Sequence, residues 1–152
     1  MECKYFGICG ACIVYENGYD AQLNQKLELN KQRFESFYKK NIEVFKSKDI
    51  HYRSRSEFKI WHDGDVMHYA MNKADKSGVV FVDECPQVNK YILDLMPKLL
   101  KEITLCKVGF KLFGVDFLSS SSGEIVVSFL YHRKLDDDWT NIAREIANKL
   151  NI

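Results

Sequence analysis

Residues 51–65, HYRSRSEFKIWHDGD, constrain the fold of this chain more than any other stretch. Side chains on a β-strand alternate between its two faces, so an extended backbone here separates small and apolar side chains from charged ones. The first face would carry Ser54, Ser56, Phe58 and Ile60, and the second Arg53, Arg55, Glu57, Lys59 and Trp61. The pattern predicts a strand with one buried face and one polar, basic face.

A tight hairpin turn is predicted at Asp63 and Gly64, because both residue types tolerate the positive φ that such turns require. The return strand covers residues 66–71. Two interpretations stay open: an ordinary half-buried hairpin with solvated charges, which periodicity alone favours, and a surface that binds phosphate. A metal cluster is disfavoured here, because its four candidate ligands straddle the turn. These are His62, Asp63, Asp65 and His68.

Length and composition indicate one folded domain. The chain has 152 residues, of which 46% are hydrophobic and 28% are charged, which permits a real core and argues against disorder. No apolar run reaches the length of a membrane span, and the amino terminus has no secretory h-region, so we expect a cytoplasmic protein. The sequence contains no G-x-G-x-x-G or P-loop motif, so no nucleotide-cofactor pocket is indicated.

Positive charge is concentrated in one segment, although the formal net charge is only +1. Residues 26–59 contain ten Lys or Arg against five Asp or Glu, while the rest of the chain contains twelve against sixteen. A clustered basic segment can neutralise phosphates even in a nearly neutral molecule. A charged helix exterior is the commoner explanation.

The cysteines suggest a metal site, because structural disulfides are rare in a cytosolic chain. Cys3, Cys9 and Cys12 follow a C-x5-C-x2-C spacing with glycines between them, which lets a short loop bring sulfurs together. Tetrahedral zinc and [4Fe–4S] centres need a fourth ligand. Cys85, extended before a proline, is the better candidate, whereas Cys106 follows an apolar helical run and is expected in the core. Unrelated thiols near the terminus are the alternative.

The rest of the chain predicts an α+β fold with a mostly antiparallel sheet, flanking helices and a cysteine-rich amino-terminal loop. Predicted helices cover residues 19–40, 87–104 and a final segment with an apolar stripe from Trp139 to Leu150, and further strands cover 79–82, 110–118 and 125–131. Pro97 predicts a kink or two shorter helices, and Asp136 or Asp137 caps the last helix. Phe113 is either a core or a stacking residue, with core favoured, and His132 is open between a surface and a functional role.

Three sequence blocks follow one another along the chain in the order in which one protein family carries them. They are HYRSRSEFKIWHDGD at 51–65, KLFGVDFL at 111–118 and VSFLYHRKLDDDW at 127–139. From residue 21 to 152 the chain resembles the amino-terminal half of the bacterial tRNA (uracil-5-)-methyltransferase family. The resemblance implies an α+β domain that binds the T-arm of tRNA, while a separate Rossmann-like domain methylates C5 of the T-loop uridine from S-adenosylmethionine.

The cysteine pattern is similar to another group in the same superfamily. Cys3, Cys9 and Cys12 together with Cys85 resemble the [4Fe–4S] box of the rRNA (uracil-5-)-methyltransferases. This likeness implies a cluster-binding segment at residues 1–18 and an RNA-recognition domain at 19–152, with zinc as the alternative metal. The chain lacks the β-barrel module that usually precedes this box in the rRNA enzymes, which favours tRNA over rRNA as the partner.

The resemblance also implies roles for individual residues. Phe113 would stack within the folded RNA loop, a common route to RNA specificity. The other implied contacts are Arg53, Arg55 and Lys59 to phosphates, Glu57 as an orienting group or base-edge acceptor, and a second strip of His132, Arg133 and Lys134.

The catalytic domain of the family, with its S-adenosylmethionine site, does not follow residue 152, so we expect an inactive recognition part of a longer enzyme. A free-standing metal-bound RNA-binding or regulatory module is the alternative, as is the same part of an rRNA enzyme. We expect neither a membrane nor DNA as a partner.

Overall fold

The computed structural model of the chain describes residues 3–12 and 17–152. Its elements are, in order, α1 (Gly18–Phe34), β1 (Arg55–Asp63), β2 (Val66–Asn72), β3 (Val79–Phe81), α2 (Lys90–Leu105), β4 (Leu112–Ser119), β5 (Ile125–Tyr131) and α3 (Asp137–Leu150). The strands form one antiparallel sheet in the order β3-β2-β1-β4-β5. The predicted α+β fold with an antiparallel sheet is confirmed.

Strand β1 lies at the centre of the sheet and shows the alternation predicted from its sequence. It pairs with β2 on one side and β4 on the other. Phe58 and Ile60 are buried, whereas Glu57, Lys59 and Trp61 are exposed. The two faces of this strand therefore have different environments, as a period of two requires.

The β1–β2 hairpin turns at Gly64 and Asp65, one residue later than predicted. Asp63 still pairs with Val66, which extends the ladder and leaves residues 64 and 65 as the centre of the turn. Gly64 has φ +59°. The first central residue of such a two-residue hairpin loop needs a positive φ. Glycine adopts it readily, whereas residues with a side chain rarely do.

The hydrophobic core lies between one face of the sheet and helices α2 and α3. Its fully buried side chains include Ile92, Met96, Leu99 and Ile103 from α2, Val115 and Phe117 from β4, and Ile146 from α3. Each such side chain contributes about 1.5–3 kcal/mol to folding. Because the helices cover only this face, the opposite face of the sheet stays open to solvent.

Helix α2 is continuous through Pro97. The prediction of two shorter helices at this proline is therefore wrong. The hydroxyl of Tyr69 on β2 donates to the Met96 carbonyl at 3.0 Å, which ties the helix to the sheet next to the proline. Helix α3 begins as predicted, since the Asp136 side chain accepts from the Trp139 N–H at 2.8 Å and caps the helix.

Helix α1 is shorter than predicted and lies apart from the core. It ends at Phe34, and none of its residues, all within the described range 17–152, is buried. It is held by the segment that follows it: the Tyr19 hydroxyl accepts from the Ser47 N–H at 2.9 Å, and Lys46 donates to Asp20 at 2.7 Å. The predicted apolar stripe lines an open groove formed with residues 37–45 instead of meeting the sheet.

Candidate nucleic-acid interface and cysteine pocket

The open face of the sheet carries three of the residues predicted to contact RNA. Arg55, Glu57 and Lys59 lie on this face, because the alternate residues Phe58 and Ile60 are buried in the core. The alternation thus brings these three side chains together at the centre of the sheet.

Arg55 is already paired with carboxylates. Its Nη2 lies 2.5 Å from Glu57 Oε1 and 3.2 Å from Asp116 Oδ2, and these partners, Asp116 foremost, raise the pKa of the guanidinium. The second oxygen of Asp116, Oδ1, is buried and has no hydrogen-bond partner within the described part of the chain. A phosphate at Arg55 therefore has to compete with two carboxylates. Lys59 Nζ donates instead to the neutral amide of Asn72 at 2.6 Å, so its charge is not cancelled there.

Arg53 lies outside the regular ladder that contains Arg55. It lies before β1, forms an isolated parallel bridge to Val88, and its N–H donates to the Gln87 carbonyl at 2.9 Å. Its side chain lines the pocket that contains the cysteines. The alternation fails at this residue because the ladder of β1 begins only at Arg55.

Phe113 and His132 form a stacked pair at one end of the sheet, with ring centroids 3.9 Å apart and an interplanar angle of 16°. Phe113 is 38% exposed, so the core position favoured by alternation is wrong. The cause is a β-bulge between Leu112 and Gly114, which leaves Phe113 as an extra residue opposite β5 and turns it outward.

The three residues of the predicted second strip take different positions. His132 stacks on Phe113. Arg133 Nε donates to the Phe110 carbonyl at 3.2 Å and is tied to the turn before β4. Lys134 is exposed. The structure thus unites His132 with the predicted stacking residue and leaves Lys134 accessible to solvent.

The stacked pair lines a groove of about 690 Å³ between the β1–β2 turn and the α2–β4 turn. Other residues of the groove are His62, Lys107, Phe110 and Lys111. Phe110 and Lys111 were predicted to lie in a strand and had no predicted role. Strand β4 begins only at Leu112, because Lys111 adopts φ +60°, which ends the extended backbone. The signal that could have found these residues is an aromatic ring between two lysines in KVGFK, residues 107–111.

The four predicted cysteine ligands line one common pocket of about 70 Å³. Its thiols come from Cys3, Cys9 and Cys12 in the amino-terminal loop and from Cys85 before α2. Burial raises the pKa of the Cys12 thiol, and the charges of the other three thiols raise it further. The four cysteines therefore line one pocket and act on each other electrostatically.

The amino-terminal loop is held against β2 and the segment before α2. The Gly10 N–H donates to the Asn72 carbonyl at 2.8 Å, and a Cβ on Gly10 would come within 3.2 Å of the same oxygen. Lys4 Nζ lies 2.7 Å from Asp83 Oδ1. These contacts hold the amino-terminal loop next to the segment that contains Cys85. They join residues far apart in the chain, so cysteine spacing alone does not reveal them.

One thiol of the pocket accepts a hydrogen bond, and a cationic residue lies beside it. Gln87 Nε2 donates to Cys12 Sγ at 2.8 Å, and Arg53 lines the same pocket. Across residues 3–12 and 17–152, no three His, Cys, Asp or Glu side chains already have the arrangement of a metal site. Cys106 packs against the hydrophobic core, as expected from its sequence context.

The histidines of the β1–β2 hairpin have other partners. His62 Nε2 donates to the Leu112 carbonyl at 2.8 Å, and the His68 ring stacks on Phe81 with centroids 4.4 Å apart. These contacts direct the two rings to opposite neighbours of the hairpin, to β4 and to β3.

Residues 18–152 match the family described as tRNA (Uracil-5-)-methyltransferase. This chain belongs to that family. The match contains all three helices and all five strands described above, and the resemblance drawn from the three sequence blocks is confirmed. The cysteine loop at residues 3–12 precedes the matched region.

Relatives of this tRNA (uracil-5-)-methyltransferase family member bear a more specific name, tRNA/tmRNA (uracil-C(5))-methyltransferase. The protein of Sulfurimonas denitrificans is 63% identical over 153 residues, and the match covers 100% of this chain and 42% of that protein. The protein of Aliarcobacter butzleri is 39% identical, with coverage of 100% and 42%, and that of Nautilia profundicola is 42% identical, with coverage of 98% and 42%. The chain therefore spans about 42% of the length of these relatives.

A helix that crosses a membrane needs about 20 mostly apolar residues, and the helices of residues 3–12 and 17–152 can be judged by this requirement. None of them combines the length and the apolar character that crossing a bilayer demands.

Proposed function

We propose that this chain is the RNA-recognition part of a longer tRNA (uracil-5-)-methyltransferase that methylates C5 of the T-loop uridine from S-adenosylmethionine in the cytoplasm. Membership of the family and the names of the relatives support the reaction class. The observation that carries the recognition role is the exposed Phe113–His132 stack on a groove of about 690 Å³.

The stacked pair fits an unstacked base of the T-arm. An aromatic ring that is exposed but fixed in place offers a π-face to any base that leaves its helix, and such stacking contributes about 1–3 kcal/mol per base. His132 covers one face of the Phe113 ring. An RNA base would therefore stack on the uncovered face of the stacked pair or contact its edge.

The basic residues of the open sheet face fit phosphates of the RNA backbone that continues from this base along β1, since Lys59 pairs with Gly114 and Arg55 with Leu118. Lys59 is the strongest candidate, because its partner, Asn72, is neutral. Arg55 contributes once a phosphate displaces Glu57 or Asp116 from its guanidinium. Lys134, which is exposed near the stacked pair in the sequence, extends the contact. Phosphate contacts of this kind set the position of the RNA rather than its sequence.

The chemistry of methyl transfer belongs, on this proposal, to the part of the longer relatives that this chain does not span. Those relatives are more than twice as long, since the chain covers 42% of each. The chain alone, mixed with tRNA and S-adenosylmethionine, is expected to bind RNA and to transfer no methyl group.

The cysteine pocket fits a [4Fe–4S] cluster, with Cys3, Cys9, Cys12 and Cys85 as the ligands. Four thiols around one cavity form the donor set that such clusters use, and Gln87 supplies a hydrogen bond to a ligand sulfur of the kind that tunes them. When bound, the cluster would cross-link the amino-terminal loop to the segment before α2. The same thiols suit zinc, which is the alternative occupant.

A binding comparison tests the recognition role. Fluorescence anisotropy of the 152-residue chain with a tRNA T-arm hairpin should give saturable binding whose logarithmic affinity falls linearly with the logarithm of the salt concentration. An rRNA stem-loop and a duplex DNA of equal length serve as controls and should bind more weakly. Equal affinity for the rRNA stem-loop would refute tRNA specificity and favour the corresponding part of an rRNA enzyme. Equal affinity for the DNA would refute specific RNA recognition.

A further inference from the structure

The turn between α2 and β4 is held rigidly by the end of β5. Three consecutive residues there, 131–133, donate hydrogen bonds to backbone carbonyls of the turn. The bonds are Tyr131 Oη to Val108 O at 2.6 Å, His132 N to Lys111 O at 3.0 Å, and Arg133 Nε to Phe110 O at 3.2 Å. A turn with its carbonyls bound in this way presents its side chains in fixed directions.

The side chains of this rigid turn remain exposed although one of them is a large aromatic. Phe110 is 68% exposed, and Lys107 and Lys111 on either side of it are exposed too. Both lysines adopt positive φ, +55° and +60°, which costs free energy for residues with a side chain. Lys111 Nζ lies 5.5 Å from the centre of the Phe110 ring. The fold thus maintains an exposed ring with one ammonium group beside it and a second lysine in the same groove.

The charge of the groove around this ring matches an anionic ligand. Its titratable side chains are Lys107, Lys111, His62 and His132 against a single carboxylate, Asp65. The groove also contains Phe113, so two aromatic residues with separate backbone supports face one cavity. Single-stranded RNA fits this arrangement, because its bases can stack on the aromatic rings while the phosphates between them bind the cationic side chains.

We propose that the α2–β4 turn is a second nucleotide site, at which Phe110 stacks on an unpaired base of the bound RNA while Lys107 and Lys111 bind its flanking phosphates. This inference rests on the proposed function and adds a second unpaired nucleotide to the one at Phe113. The RNA is thereby required to present two unstacked bases at once, which a folded loop does and a regular duplex does not.

Affinity measurements with single substitutions test this site. Phe110→Ala should weaken binding of the 152-residue chain to a T-arm hairpin about 5- to 150-fold, and Phe110→Trp should restore it. Lys107→Gln with Lys111→Gln should reduce the slope of log affinity against log salt by about 0.7 per lost phosphate contact. Phe45→Ala, at a ring that is 82% exposed beyond α1, and Lys98→Gln, on the outside of α2, are the matched controls and should leave affinity unchanged.

A set of hairpins with one abasic loop nucleotide each identifies the stacked base. For one nucleotide, the abasic change and Phe110→Ala should not be additive, because both remove the same contact. For another nucleotide, the same should hold with Phe113→Ala. Circular dichroism spectra of all variants should match that of the parent chain, since Phe110 contributes little to the core.

The outcomes separate the two proposals. If the parent chain binds the hairpin and Phe113→Ala weakens it while Phe110→Ala does not, the second site is refuted and the recognition role stands. If Phe110→Ala weakens binding but every abasic position is additive with it, the ring does not stack on a base and the second site is again refuted. If the parent chain does not bind RNA, both proposals fail.

Discussion

The rings of Phe113 and His132 lie nearly parallel, with their centroids 3.9 Å apart. A β-bulge turns Phe113 outward, and the N–H of His132 is bound to the Lys111 carbonyl at 3.0 Å. The backbone therefore fixes both rings before any ligand arrives. A surface that is ordered in advance loses less conformational entropy on binding than a mobile one.

Replacement of the outward phenylalanine tests the first stacking site. Phe113→Ala should weaken binding to a T-arm hairpin about 5- to 150-fold, because the free face that receives a base is lost. Fluorescence anisotropy measures the dissociation constant. Phe37→Ala is the control, since this ring is 74% exposed and lies outside the groove. An unchanged affinity for Phe113→Ala would show that the ring does not contact RNA.

The two carboxylates beside Arg55 predict an unusual gain of affinity. Glu57→Gln should tighten RNA binding about two- to fivefold at low salt, because it releases Arg55 from one partner and removes a charge that repels phosphate. The gain should shrink as salt is added. Glu145→Gln on α3 is the control for a general change in net charge. Weaker binding of Glu57→Gln would instead indicate that this carboxylate accepts from a base edge.

Removal of one thiol tests the cysteine pocket. Anaerobically purified chain should be brown and contain iron and acid-labile sulfide in equal amounts, and Cys85→Ser should lose this colour. Cys106→Ser, whose thiol packs against the core outside the pocket, should keep it. A colourless parent chain that contains zinc would overturn the iron assignment.

The serine turn between β4 and β5 gives a prediction for pH. Hydrogen bonds from Ser120, and then from Ser122, lower the pKa of Glu124 from the ordinary 4.5 to about 2. Since the folded pKa is depressed, the stabilisation exists above the ordinary value and is lost as pH falls toward 2. An NMR titration of the Glu124 carboxyl carbon should show this midpoint. Ser120→Ala with Ser122→Ala should return it toward 4.5, and a midpoint already near 4.5 in the parent chain would contradict the turn geometry.

Sequence periodicity predicted β1 well, because one face of the strand meets the core and the other meets solvent. Phe58 and Ile60 meet the core and Lys59 meets solvent, so a period of two appears directly in the residues. The four cysteines were grouped from their spacing and from the resemblance to the rRNA enzymes; they line one pocket, and their role as ligands stays a prediction. Their convergence depends on the hydrogen bond from Gly10 to Asn72, a contact between distant segments that composition and spacing do not encode.

Periodicity failed where the backbone departs from a regular ladder. The bulge beside Leu112 reverses the face of Phe113. Strand β1 begins only at Arg55, so Arg53 lies outside the ladder and lines the cysteine pocket. The positive φ of Lys111 keeps Phe110 out of β4 and leaves it exposed. Each irregularity involves one residue, yet together they determine which side chains face the groove.

Helix α1 is held by residues 46 and 47 and has no buried residue in the described range Gly18–Phe34, so we expect it to open independently of the sheet. An isolated helix of 17 residues is only marginally stable in water. Hydrogen–deuterium exchange should therefore label the amides of α1 early, by local opening, whereas those of β1 and β4 should exchange only with global unfolding. The open face of the sheet can then stay intact while α1 unfolds and refolds.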